Sequence, residues 1–148
     1  MRHREDNMQI ACVSWFMHQY HSYAFLLHHS PNGGARSESE GARFKEMGVR
    51  KGFPDLILLI PNRHHPYLCL ELKTDKGRQS ESQRYYQQLV TEAGGLYVVI
   101  RSKEEFISTV KAYLADRDEE LKISVQQPLK TNLHAAKRNN RVPRLLQK

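Results

Sequence analysis

Three side chains near the middle of the chain are suited to phosphate chemistry: Asp55, Glu71 and Lys73. Gly-Phe-Pro precedes Asp55, fifteen residues separate it from Glu71, and Leu72 alone stands between Glu71 and Lys73. Clustered carboxylates are hard oxygen ligands of the kind that Mg²⁺ or Mn²⁺ takes, with water completing the shell. A cation held there polarises a phosphoryl oxygen and lowers the pKa of bound water. A lysine beside it orients the attacking hydroxide or neutralises charge in the transition state. Two carboxylates held ~4 Å apart repel by roughly 4 kcal/mol at an effective dielectric near 20, which a divalent ion offsets. Taken alone, Glu71 and Lys73 read equally well as an exposed ion pair worth ~0 to 1 kcal/mol.

The elements around these residues determine whether the three can meet. Two apolar runs, Leu56 to Ile60 and Tyr67 to Leu72, flank Pro-Asn-Arg-His-His-Pro and form an antiparallel hairpin. Side chains alternate along the second strand, so Glu71 and Lys73 share one face while Leu68, Leu70 and Leu72 share the other. Asp55 begins the first strand, and a register placing it opposite Glu71 or Lys73 makes all three converge; a one-residue slip sends it to the wrong face. Upstream, apolar spacing from Asp6 to Tyr20 predicts a first helix, with Glu5 and Gln9 four apart on one side. Residues 23–28 suit a strand, and Pro31-Asn-Gly-Gly34 a turn. Ser39 to Met47 suits a short helix capped by Ser39 and closed by Gly48. Ser80-Glu-Ser-Gln83 has the form of a capping box and opens a helix through about Ala93. Leu96 to Ile100 is a buried strand and Lys103 to Leu114 a last helix. This order implies an α/β domain, a mixed sheet with helices on its faces around an αβββαβ core.

The 148 residues fit one domain, 1–116, followed by a basic tail, 117–148. The net charge of +7 is uneven: Lys+Arg and Asp+Glu balance through residue 120, and seven cations with no acid follow. Such a tail suits a polyanion, because each neutralised phosphate releases a counterion; a solvated terminus is the alternative. Cys12 and Cys69 lie in apolar stretches, and the sequence shows no leader or membrane-spanning run, so a reducing cytoplasm is expected.

Pro54-Asp55 with Glu71-Leu72-Lys73 matches the PD-(D/E)xK nuclease motif. The flanks narrow the match: Glu5 with Gln9, His29-Ser-Pro-Asn32-Gly-Gly, Arg43 through Asp55, Glu71 through Gly77, and Ser80 to Gln83. Over residues 5–110 the chain resembles a VRR-Nuc (virus-type replication-repair nuclease) domain of the stand-alone type. The resemblance implies a restriction-endonuclease-like fold. It also implies a metal site of Asp55, Glu71, the Leu72 carbonyl and Glu5, completed by Lys73 and Gln83. Arg4 departs from the pattern, where a capping Ser or Thr is usual before Glu5.

Several residues carry a second reading. Gln83 at the third helical position can instead reach back to the Ser80 amide, and Glu5 can simply favour a helix N-terminus. The pairs His28-His29 and His64-His65 suggest zinc, but neighbours on a strand face opposite ways; His64-His65 suits a solvated loop, while His29 beside Asn32 suits substrate. Arg36, Arg43, Lys45, Arg50, Lys51, Lys76 and Arg78 sit in loops flanking the acidic residues, where backbone phosphates are the expected partner. The expected activity is a Mg²⁺- or Mn²⁺-dependent endonuclease on branched DNA, four-way junctions above all, working as a homodimer away from any membrane. The alternatives are a sequence-reading restriction-type enzyme and a DNA-binding module without catalysis.

Overall fold

In the computed structural model residues 2–31 and 37–117 are described. Asn32, Arg36, the Gly33-Gly34 turn and the tail beyond Arg117 lie outside them. Helix α1 (Arg2–Gln19) leads through a tight 3₁₀ segment (His21–Leu26) into β1 (Leu27–His29). Then follow α2 (Glu38–Glu46), β2 (Leu56–Leu58), β3 (Leu68–Leu72), α3 (Glu81–Glu92), β4 (Leu96–Ile100) and α4 (Lys103–Ala115). The strands lie in the order β1-β2-β3-β4, the first two pairings antiparallel and β3 with β4 parallel. This is the mixed sheet flanked by helices that the element order implied.

Both faces of β3 are covered, which explains why all five of its residues are buried. Leu68, Leu70 and Leu72 join Leu56, Leu58 and Ile100 against Cys12 and Phe16 of α1 and Phe106, Val110 and Tyr113 of α4. Trp15 packs edge-on to Phe106, as a core residue would. On the other face Cys69 meets Val90 of α3 and Tyr97 of β4. By strand alternation Glu71 belongs to that second face, beneath α3.

Local differences from the sequence reading have identifiable causes. The run 23–28 is mostly 3₁₀ helix because the backbone continues the turns of α1, with Tyr20 N–H bonded to Phe16 O and Tyr23 N–H to Tyr20 O, each 2.8 Å. The strand is therefore confined to 27–29. Helix α1 begins at Arg2 rather than Asp6, so Arg4 and Glu5 stand inside its first turn and no cap is needed between them. Helix α2 is capped by Ser37 rather than Ser39, since only Ser37 has a glutamate three residues on: Glu40 N–H donates to Ser37 Oγ and Glu40 Oε2 accepts from Ser37 N–H. Gly48 closes that helix with φ 97°, as expected.

Gly52 has φ 87°, and a Cβ there would stand 2.5 Å from the Ser82 carbonyl group. Only glycine lets the 50–53 loop press on the first turn of α3. That contact brings Pro54-Asp55 and Gln83 toward the same end of the sheet.

Candidate active site

The hairpin register decides the geometry. Leu56 pairs with Leu70, so one step further Asp55 stands opposite Glu71. Asp55 Oδ2 accepts the Leu72 N–H at 2.8 Å, which anchors it across the strand ends. Its Oδ1 has no protein partner among the described residues. Glu71 is 0% exposed. Its Oε1 takes the Lys73 ammonium at 2.8 Å and the Gln83 amide N–H, and its Oε2 takes the Tyr97 hydroxyl at 2.9 Å. The ion pair is thus not a surface one.

Glu5 arrives from α1, its Oε1 accepting the Thr74 N–H at 3.2 Å. His29 on β1 donates through Nδ1 to the Asp55 carbonyl at 2.8 Å. Glu5, Gln9, His29, Asp55, Lys73 and Gln83 line one cleft of about 510 Å³. Gln83 uses both ends of its amide: Oε1 caps α3 by accepting the Ser80 N–H at 2.8 Å, while Nε2 donates to Glu71.

The electrostatics follow from this crowding. Burial, reinforced by the charge of Asp55, pushes the Glu71 carboxyl up to about 7, against the pull of Lys73 and the Tyr97 hydroxyl. Asp55 is also raised, by burial first, with the Leu72 N–H and the charges of Lys73 and His29 opposing. A buried Glu71 and a half-buried Asp55, each made harder to ionise, form a site that a cation would relax. Among the described residues no three His, Cys, Asp or Glu side chains are arranged to hold a metal by themselves. The oxygen donors at hand are Asp55, Glu71 and the Leu72 carbonyl, a hard set that suits Mg²⁺ or Mn²⁺ with several waters retained.

The expected basic residues are not all brought to this cleft. Arg43, Lys45, Arg50, Lys51, Lys76 and Arg78 do not line it. Arg50 spends its Nη1 on the carbonyls of Lys45 and Val49, holding the turn after α2. Nor is His65 a freely solvated loop residue, since its Nδ1 donates to Gly94 O at 2.9 Å.

Tyr97 escaped the sequence reading. Its only mark was being the one residue with a polar tip in Leu-Tyr-Val-Val-Ile. Its hydroxyl titration is pushed up by burial and by Glu71, so it donates to the carboxylate across the whole working pH range. With Glu71 as a ligand of a divalent ion, as proposed below, Tyr97→Phe is expected to weaken the affinity for that ion about 10- to 100-fold, the usual cost of losing a group that orients a ligand. Titrating activity with Mg²⁺ checks this; an unchanged midpoint would assign Tyr97 to packing.

The VRR-NUC domain family matches residues 3–104. A solved structure described as a VRR_NUC domain protein superposes with a TM-score of 0.68 at 28% identity, covering 77% of this chain and 90% of that one. No curated protein matches the chain. The family match runs from the first turn of α1 into α4 and takes in Glu5, Asp55, Glu71, Lys73, Gln83 and the sheet that carries them. The chain therefore belongs to the VRR-NUC family of nuclease domains.

Proposed function

We propose that this nuclease domain is a Mg²⁺- or Mn²⁺-dependent endonuclease that hydrolyses DNA phosphodiesters in branched substrates, four-way junctions in particular. The observation that supports it most is Asp55 standing opposite the buried Glu71, which is ion-paired to Lys73, with Asp55 and Lys73 both lining one cleft. Asp55, Glu71 and the Leu72 carbonyl would hold the cation, with Glu5 contributing from α1. Such an ion, when bound, would supply Lewis-acid chemistry for activating water and offsetting phosphoryl charge. Tyr97 and Gln83 fix the Glu71 carboxylate. Lys73 places a positive charge where the transition state gains negative charge.

The decisive experiment incubates labelled duplex, flap, splayed-arm, nicked and four-way-junction DNA with Mg²⁺, Mn²⁺ or excess EDTA. Turnover that survives EDTA sinks the metal-dependent reading, and equal cutting of plain duplex and junction sinks the branched one. Two-fold junctions are cut symmetrically by two identical sites, so we propose a homodimer as the working form. Light scattering giving the mass of one 17.3 kDa chain at micromolar concentration would exclude it.

Lys73→Ala is expected to slow the chemical step by roughly 10²- to 10³-fold, the loss typical of removing one preorganised charge-stabilising donor. Single-turnover rates at saturating metal read this directly. An undiminished rate would remove Lys73 from the chemistry.

A further inference from the structure

Beside the carboxylate cleft, on the far side of Glu5 and Thr74, is a second cavity of about 380 Å³ walled by Arg4, Met8, Thr74, Asp75, Lys76 and Arg101. Three cations face one carboxylate there. The side chains of Arg4 and Lys76 have no protein partner among the described residues. Arg101 is fixed by its Nη1, which donates to the carbonyls of Thr74 at 2.8 Å, Asp75 at 3.4 Å and Gly77 at 2.9 Å. An arginine carries five N–H donors in a rigid fork, so Nε and Nη2, which have no partner among the described residues, are left over on a group already held still. A preorganised guanidinium with two further cations that have no partner among the described residues has the donor set an oxyanion takes; Arg fits phosphate bidentately and Lys adds a mobile point charge.

The two cavities have no lining residue in common, but they are joined by one contact, from Glu5 of the first to Thr74 of the second. Arg4 precedes Glu5 and Lys76 lies two residues beyond Thr74. A strand crossing the carboxylate cleft therefore passes the second cavity within a short run of nucleotides. We infer that the Arg4–Lys76–Arg101 cavity is a second phosphate site, gripping a phosphate of the DNA strand near the one that is cut. The inference rests on the reading of the protein as a DNA nuclease, and it gives Arg4, the residue that departs from the family pattern, a part in holding substrate. Phosphates fix register without reading sequence, so this grip sets where along the strand the scissile bond falls.

The test is binding of a fluorescent DNA duplex by anisotropy in EDTA, over a range of salt, which requires no cleavage. Compared are wild type, the double variant Arg4→Ala with Lys76→Ala, and a control, Arg63→Ala with Lys111→Ala, that removes the same charge at exposed positions away from this cavity. The cavity variant is expected to bind roughly tenfold more weakly at low salt and to lower the log-log salt slope by about 0.9 for each phosphate it no longer neutralises. Arg4→Lys with Lys76→Arg should retain most of the slope. Running each protein on duplexes with 5′-hydroxyl and 5′-phosphate ends identifies the source: equal weakening on both means an internal diester, greater weakening on the phosphorylated duplex a terminal phosphate. A cavity variant that matches the control in affinity and slope overturns the proposal. Failure of wild type to cut any DNA with Mg²⁺ or Mn²⁺ would instead overturn the nuclease reading, and the binding comparison would still report on the cavity.

Discussion

Asp55→Asn or Glu71→Gln should leave DNA binding nearly intact and lower single-turnover cleavage by about 10³-fold or more, some 4 kcal/mol of transition-state stabilisation. Each change removes a charged oxygen donor and alters side-chain volume little. An asparagine in place of Asp55 keeps an oxygen able to accept the Leu72 N–H, so the strand ends stay joined. A rate loss there reports on ion binding and chemistry rather than on folding. The cations of the second cavity are untouched, so binding in EDTA should stay within a factor of about two of wild type on the salt-dependent phosphate contacts alone. Wild-type turnover by either variant would remove that carboxylate from the reaction.

The second large effect is on stability as a function of pH. Glu71 is raised from 4.5 to about 7 by burial and by Asp55. Between those values the native state binds a proton that the unfolded chain has already released. Stability has a positive pH slope only where the unfolded state holds more protons, and here the native state does, so the metal-free protein loses stability as pH rises from about 5 to 7. A shift of this size corresponds to roughly 3 kcal/mol, or a fall in Tm on the order of 10 °C for a domain of this length. Asp55, also raised, acts in the same direction. A divalent ion needs the ionised carboxylates, so its stabilising effect should grow over the same window and level off above it. Melting curves at pH 5 to 8 with and without Mg²⁺ check both slopes. A metal-free Tm that is flat or rises with pH would mean that Glu71 ionises as an ordinary surface acid.

The part of the site within reach of strand arithmetic was legible from the chain. Alternation placed Glu71 opposite in face to Leu70 and Leu72, whereas the hairpin left open whether Asp55 would meet Glu71 or Lys73 or slip to the wrong face; the pairing of Leu56 with Leu70 puts it opposite Glu71. Capping chemistry likewise announced Ser80 and Gln83, because a capping box lies within four residues. Contacts between distant segments were not legible. Tyr97 reaches Glu71 only because β4 returns parallel to β3 after α3, and no local pattern encodes which aromatic will meet which acid. Arg101 carried no local signal in the sequence, and three carbonyls of the 74–77 turn converge on it. At the start of the sheet, aromatic and aliphatic composition suggested a strand over 23–28, whereas continued helical hydrogen bonding from Phe16 and Tyr20 governed the backbone.

The parallel pairing of β3 with β4 also governs when the molecule becomes competent during its own folding. The hairpin of β2 and β3 closes over a short loop, but β4 must wait for α3 to form and cross over before it can dock. Pairings of this kind close large loops and form slowly. Until β4 arrives, Glu71 lacks the Tyr97 hydroxyl and the cover of the second core, and until α1 packs, Thr74 lacks Glu5. Water would then solvate the carboxylates separately instead of holding them against each other. The proposed cation site thus draws on the first and the last thirds of the described chain together. A nascent or half-folded copy carries every residue of the motif without the assembled site, which keeps a DNA-cutting activity tied to the completed fold.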